Sequence, residues 1–236
     1  MRTIIWFSYF WISLFGTIPT LKKVEQMTES NELAEKDKIA NEIATSWSGK
    51  LLRLAGCDVT VKGEENIPKD QTVLFVGNHQ SNFDIPILLH YIEGNIGFIA
   101  KKELKKMPVI SKWMAALDCV FMDRDNMRKS AIAINQGIKF LKAGRSMVVF
   151  PEGTRSRDGQ PLEFKQGALK LATKSGVPVV PVTIKGSVDI MNSGSLRIKP
   201  AKVDLIFSPI IDPSDYPEKE TKRITEDVKN AIVSKL

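Results

Sequence analysis

Histidine and cysteine are scarce in this 236-residue chain, which has two of each: His79, His90, Cys57 and Cys119. The cysteines lie far apart, without metal-ligand spacing and without histidines beside them. That excludes a zinc or disulfide scaffold and reads as two reduced thiols of a cytosol-facing protein. The chain also lacks a G-x-x-x-x-G-K-[ST] loop and a G-x-G-x-x-G turn, so nucleotide-driven chemistry has no support. It has no G-x-S-x-G elbow, which argues against a serine-nucleophile hydrolase even though Ser81 lies close to His79. Acidic residues are short as well. Against 34 Lys and Arg there are 27 Asp and Glu, a net charge of +7 that favours an anionic partner. Phospholipid, phosphate ester and nucleic acid all carry that charge. A nucleic-acid binder would interleave basic and aromatic side chains, whereas the aromatics here concentrate in one N-terminal apolar run, so no nucleic-acid partner is expected.

That run is IIWFSYFWISLFGTIPTL, from Ile4 to Leu21, uncharged between Arg2 and the pair Lys22-Lys23. No small-x-small cleavage pattern follows, so it reads as a membrane-facing segment rather than a signal peptide. It is short for a spanning helix, carries Gly16 and Pro19, and is rich in interface-loving aromatics, which leaves spanning and lying flat both open. The next stretch, ELAEKDKIANEIATSWSGKLLRLAG, places Ile39, Ile43, Trp47 and Leu51 on one helical face. It reads either as a helix packed on the core or as an amphipathic helix in the headgroup layer. Residues 1–57 are therefore expected to be an N-terminal membrane-associating helical segment, followed by one domain over 58–236.

The remainder alternates short apolar runs with helical patterns. Seven strands are predicted: DVTV (58–61), TVLFV (72–76), IGFIA (96–100), CVFM (119–122), SMVVF (146–150), VPVVPVTI (177–184) and VDLIF (203–207). Helical patterns occur in IPILLHYI, in NMRKSAIAINQGIKFLKAG with Ala131, Ile134, Ile138 and Leu141 on one side, in GALKLATKSG, and in KRITEDVKNAIVSKL through Ile224, Val228 and Ile232. Strands with almost no polar alternation are buried on both faces. The fold class is therefore α/β, a largely parallel central sheet covered by helices.

One of the two histidines stands in GNHQSNFD (77–84), directly after a predicted strand, with Asp84 five residues later. With Ser81 or Asn82 as the N-cap of a helix beginning near Phe83, His79 falls in a strand-to-helix loop, where open α/β sheets place ligands. Across such a loop the Asp84 carboxylate can fold back onto the imidazole, fix its tautomer and support positive charge once the ring takes a proton. His90, inside the following helix, reads as a packing residue. Farther on, VFMDRD (120–125) ends an apolar strand on Arg124. VFPEGTRSRDG (149–159) brings a strand to an abrupt turn carrying Arg155 and Arg157, suited to bidentate bonds with a phosphate.

These blocks, NHQSNFD, FMDR, FPEGTR and VPVVPV in that order, resemble the four motifs of the glycerolipid acyltransferase family, in particular its short bacterial 1-acylglycerol-3-phosphate acyltransferases. The resemblance runs from about Val61 to Val182. It implies that His79 is the general base and Asp84 its orienting acid, and that an acceptor hydroxyl attacks an acyl thioester directly. It also implies that Lys101, Arg124 and the turn Glu152, Gly153, Thr154 and Arg155 hold the phosphate and glycerol of the acceptor. Glu152, an acceptor like the phosphate itself, is expected to order the turn or meet a hydroxyl. Arg157 matches no motif position, and VPVVPV reads as core and wall of an acyl groove. The implied reaction makes phosphatidic acid from lysophosphatidic acid. It needs no metal or resident cofactor, with acyl carrier protein or coenzyme A as the thioester carrier. The implied site is the cell membrane, with the catalytic domain on its cytoplasmic side.

The alternatives are a relative with another acceptor (glycerol 3-phosphate, another lysophospholipid or a lyso-ornithine lipid), a non-catalytic membrane lipid-binding protein, and a lipid hydrolase.

Overall fold

In the computed structural model, which describes residues 1–156, 159–192, 194–217 and 220–236, the chain opens with three helices. These are α1 (Arg2–Gly16), α2 (Ile18–Glu29) and α3 (Leu33–Ala55). Strand β1 (Cys57–Lys62) and β2 (Leu74–Gly77) follow, then α4 (Asp84–Tyr91), β3 (Ile96–Lys101), α5 (Ile110–Ala116), β4 (Val120–Met122) and α6 (Met127–Lys142). The order closes with β5 (Ser146–Val149), α7 (Gln166–Ser175), β6 (Val179–Lys185), α8 (Ser187–Ile190), β7 (Ala201–Phe207) and α9 (Thr221–Val233). Each predicted strand is present, within about two residues of its expected bounds. Two short helices, α5 and α8, carry too little periodicity to be read from sequence.

Among the described residues the strands form one sheet in the order β1-β7-β6-β2-β5-β3-β4. Every pairing is parallel except β6 with β7. Burial on both faces explains the unbroken apolar strands. In the second strand and the residue before it, Val73 and Phe75 enter one core with α1 to α5, while Leu74 and Val76 enter the other, beneath α6, α7 and α9. Each fully buried side chain of this size contributes about 1.5–3 kcal/mol relative to exposure. Proline in the central strand β6 is tolerated for a local reason. The Pro181 carbonyl accepts from Ser208 N–H at 2.9 Å, so its missing N–H falls on the β7 side. That is the gap between the ladder ending at Val182↔Phe207 and the single bridge Val179↔Ile211.

Helix α3 packs on the core; of the expected stripe Leu51 is fully buried and Ile39, Ile43 and Trp47 are half-buried, while the deepest face runs one step round through Ala40, Ala44, Ser48, Leu52 and Ala55. Small residues win because α4 approaches closely: the ring of His90 lies over Gly49, and its Nδ1 meets the Thr45 carbonyl at 3.0 Å. His90 is thus a packing residue. The helix stops at Gly56, whose φ of 73° is a left-handed cap that other residues adopt at a cost. A buried ionic cluster ties the start of α3 to the core: Lys36 with Asp37 and Asp118, and Arg145 with the same two acids. Burial raises the Asp118 carboxyl above its ordinary value despite both cations. In α6, Ala131 is exposed and Ala133 and Gly137 take the buried places beside Ile138 and Leu141, because Leu171 of α7 leaves no room for a side chain at Gly137. In α9, Ile224, Val228 and Ile232 are all fully buried, as expected.

The N-terminal helices share the larger core through Trp6, Leu14, Leu21 and Val24. No single helix among the described residues is long and apolar enough to cross a membrane; α1 and α2 reach that length and composition only together, across a 43° bend.

Candidate active site

The strands β2 to β6 run parallel, so the segments leaving their carboxyl ends gather along one edge of the sheet. Gly77 ends β2, and Asn78 takes over from the ladder with its side chain. Its Nδ2 donates to the Ile184 carbonyl and its Oδ1 accepts from the Ile184 N–H, both at 2.8 Å. That clasp lets the backbone turn away from the sheet at His79 without leaving strand β6 unpaired.

The imidazole Nδ1 lies 2.7 Å from Asp84 Oδ2. Asp84 is fully buried and is the first residue of α4. Its Oδ2 also accepts the N–H groups of Gln80 and Ser81 at 2.8 and 2.9 Å, and its Oδ1 accepts the Ser187 hydroxyl. Four donors therefore converge on one carboxylate and leave its position no freedom. Phe83, rather than Ser81 or Asn82, stands at the N-cap, with no side-chain capping bond; Asp84 instead accepts the N–H groups of the loop before the helix. The Ser81 hydroxyl is turned inward, donating to the Met191 carbonyl at 2.9 Å, and Ser81 is fully buried. This is a structural serine, not a nucleophile.

With Nδ1 bonded to a carboxylate, the proton of the neutral ring resides there and the Nε2 lone pair faces outward. Nε2 has no partner among the described residues, and the side chain keeps 18% of its surface exposed. One face of the ring stacks on Phe150, with centroids 4.2 Å apart and planes 14° from parallel. Such an arrangement can take a proton from a hydroxyl placed at Nε2 and hold the resulting charge against Asp84.

The turn after β5 is bound to the same loop. Glu152, buried, accepts the His79 N–H at 2.9 Å through Oε1 and the Leu162 N–H at 3.1 Å through Oε2, while the Ser156 N–H donates to the His79 carbonyl at 2.8 Å. Burial pushes the Glu152 carboxyl above its ordinary value, opposed by its two N–H bonds and by His79. Of the two expectations for Glu152, ordering the turn is the one this geometry satisfies. Gly153, at φ 75°, turns its carbonyl to the Arg124 guanidinium; Lys165 occupies the space beside it. Burial draws Arg124 below its ordinary value, with Glu103 acting against that. Arg124 thus joins the segment after β4 to the turn after β5. A cavity of about 180 Å³ opens beside them, lined by Ile99, Met122, Ile134 and Ala168 among others. A larger one of about 390 Å³, lined by Lys69, Asp70 and Asn95, lies at the opposite, amino end of the strands, away from His79.

His79, Asp84 and Glu152 are thus in direct contact, as are Arg124 and Gly153. Thr154 is exposed and Arg155 half-buried. Lys101 is the exposed last residue of β3, while its neighbour Lys102 pairs with Asp123 at 2.6 Å. The side chains of Lys101 and Arg155 make no hydrogen bond or ion pair among the described residues. Arg157 lies outside the described residues. Sequence reasoning missed Ser187, Asn78 and Phe150. Asn78 and Phe150 lie inside the motif stretches and Ser187 stands just after the carboxyl end of a strand in KGS, but none of the three carries a sign of its partner. Among the described residues no group of three or more His, Cys, Asp or Glu could hold a metal ion. Burial pushes both thiols, Cys57 and Cys119, up to about 12.

A histidine aimed by a buried acid, set at the carboxyl end of a helix-covered parallel sheet beside an arginine-bearing turn, is an arrangement suited to a group-transfer protein. Comparison with known proteins narrows the class. The family model described as Acyltransferase matches residues 58–185, and the chain belongs to that family. It is 32% identical over 185 residues to the 1-acyl-sn-glycerol-3-phosphate acyltransferase of Borreliella burgdorferi, covering 78% of this chain and 74% of the relative. The probable enzyme of the same name from Mycoplasma pneumoniae is 37% identical, with 77% and 72% covered. Among solved structures, the 1-acyl-sn-glycerophosphate (LPA) acyltransferase PlsC of Thermotoga maritima superposes with a TM-score of 0.87 at 31% identity, over 99% of this chain and 92% of that one.

Proposed function

We propose that this protein transfers a fatty acyl group from an acyl thioester to the sn-2 hydroxyl of 1-acylglycerol 3-phosphate, giving phosphatidic acid. The observation that carries the reading is the His79–Asp84 pair at 2.7 Å with Nε2 left unbonded, in a chain whose family relatives bear that activity in their names.

A thiolate leaves readily, while an alcohol is a poor nucleophile until a base takes its proton. His79 Nε2 removes the hydroxyl proton as the oxygen attacks the thioester carbon, and the imidazolium so formed is held by Asp84. Collapse of the adduct breaks the C–S bond, and the thiolate leaves with its carrier, which takes up the proton. No acyl group is attached to the protein. Arg124, Lys101 and Arg155 bind the acceptor phosphate, with Gly153 and Thr154 shaping the turn and Glu152 holding it against His79. The carrier is acyl carrier protein or coenzyme A, and no resident cofactor is used. Residues 1–57 associate with the cell membrane and keep the domain on its cytoplasmic side. The unpaired side chains of Lys101 and Arg155 and the apolar outer face of α1 support these assignments.

The test is transfer of labelled acyl groups by the purified protein to lysophosphatidate, glycerol 3-phosphate and other lysolipids in parallel. Acylation of lysophosphatidate at sn-2 is expected, falling by roughly 10² to 10⁴ in His79→Ala with the fold intact. Preference for another acceptor corrects the substrate. Parental activity in His79→Ala removes the mechanism.

A further inference from the structure

Helix α1 buries one face and leaves the other without a partner. The outer face carries Ile4 and Ile12, 72% and 73% exposed, with Ile5, Trp11 and Phe15, and no charge. At helical spacing these positions form one stripe. Beside its first turn lies the segment Gly194 to Pro200, GSLRIKP, which contains no acid. Within it Ile198 is buried, and its N–H donates to the Thr3 hydroxyl at 3.1 Å, which fixes the segment against α1 next to Ile4. Leu196 is left 72% exposed, followed by the exposed cations Arg197 and Lys199 on either side of Ile198. Arg2 adds a third charge: its guanidinium donates to the Leu54 carbonyl at 3.3 Å, beside Gly56 and Pro200.

A lone exposed leucine is ordinary on a protein surface. This one is different in its setting. Its backbone is tied down just after it, since the Ile198 N–H donates to Thr3 and the Lys199 N–H to Ile190 O at 3.0 Å, beside Met191, whose carbonyl accepts from Ser81 of the His79 loop. Two cations, Arg197 and Lys199, follow it in a segment without an acid, and the Thr3–Ile198 bond sets that segment against the helix that carries the unpartnered apolar stripe. Neutral apolar partners would leave those cations uncompensated; an anionic lipid surface matches both the leucine and the charges.

We propose that Gly194–Pro200 is a second membrane contact, a lip that seats Leu196 among acyl chains with Arg2, Arg197 and Lys199 at the lipid phosphates. This deepens the reading of a membrane-associated protein and rests on it. The lip and α1 then touch the bilayer on either side of the Thr3–Ile198 bond. Through Met191 and Ser81 the lip holds the His79 loop at headgroup level, where a lysolipid hydroxyl lies.

The test places an environment-sensitive nitrobenzoxadiazole label at position 196 through Leu196→Cys, and in a parallel variant at position 12 through Ile12→Cys. Cys57, which is half-buried, is replaced by serine in both variants so that only the introduced thiol takes the label; Cys119 is buried. On vesicles of phosphatidylcholine with phosphatidylglycerol both labels should brighten, shift to the blue and be quenched by spin-labelled acyl chains. A silent label at 196 with a responsive one at 12 overturns the lip and leaves the α1 contact standing; silence at both overturns the two together. In the unlabelled chain, Arg197→Gln with Lys199→Gln should weaken partitioning onto these vesicles by about 30-fold at low salt. Unchanged partitioning with both labels responsive would show that lipid charge plays no part at the lip, contrary to the proposal.

Discussion

Replacing Asp84 by asparagine separates the two tasks assigned to it, holding the ring and supporting its charge. Three donors meet at Oδ2 (His79 Nδ1, Gln80 N–H and Ser81 N–H) and one, the Ser187 hydroxyl, at Oδ1. An asparagine oriented with NH₂ toward the three donors leaves all of them unpaired in a buried site, at about 1–3 kcal/mol each. The opposite orientation keeps all three, and the Ser187 hydroxyl rotates from donor to acceptor. The variant is therefore expected to fold, with the imidazole still protonated at Nδ1 and Nε2 still facing outward. What disappears is the attraction between carboxylate and imidazolium in the transition state. For charge centres about 4 Å apart at an effective dielectric of 20 this is about 4 kcal/mol, or roughly 10³ in rate. Asp84→Asn should thus lower kcat by about 10³ with the KM for acceptor unchanged. Ser187→Ala, which removes one donor and keeps the charge, should lower kcat only about tenfold. Acyl transfer measured at saturating donor and acceptor, with melting curves as the fold control, reads both. A folded Asp84→Asn protein within tenfold of the parent would refute charge support as the role of Asp84.

Arg155→Ala should raise KM for the acceptor about 10- to 100-fold through loss of a charge-assisted bond, with KM for the thioester donor unchanged; a defect confined to the donor would show that Arg155 does not hold the phosphate. Gly97→Ala tests the packing of β3. A Cβ there would stand 2.7 Å from the Asp118 carbonyl, so a loss of about 1–3 kcal/mol in denaturant unfolding is expected, and parental stability would mean that the backbone contact is looser than it stands. For Glu152 the sign follows from burial raising its pKa above the unfolded value of 4.5. As pH rises through the interval above that value, the unfolded chain releases this proton before the folded one, so the fold loses stability with rising pH. Glu152→Gln should flatten this slope in melting temperatures measured across that range. It should also lower stability throughout, because one of the two N–H donors then faces an amide NH₂; an unchanged slope would assign it to other groups.

Seven strands and the parallel sheet were legible because strands buried on both faces must be apolar along their whole length, and turn residues punctuate them. The pairing of His79 with Asp84 was legible too, since a helix starting at once after the loop brings a first-turn acid back to it. Beyond nearest neighbours the pattern is silent. Ser187 sits 103 positions from Asp84 and meets it only because β6 lies beside β2. Phe150 reads as the end of a strand until the sheet order sets it under the imidazole. Of the stripe expected at Ile39, Ile43, Trp47 and Leu51 only Leu51 is fully buried, since periodicity reports where apolar side chains are, not which face a close neighbour requires to be small.

By itself, then, the order of residues determined the seven strands, the longer helices and the local geometry of one base with its acid, all of which arise from contacts within a few positions, and through its motif blocks the family. The tertiary structure decided which distant side chains complete the carboxylate's donor set, that Arg124 meets the Gly153 carbonyl, and that Leu196 emerges beside α1. These depend on strand order and helix approach, which arise when the whole chain buries its apolar surface at once and are written in no short stretch of it.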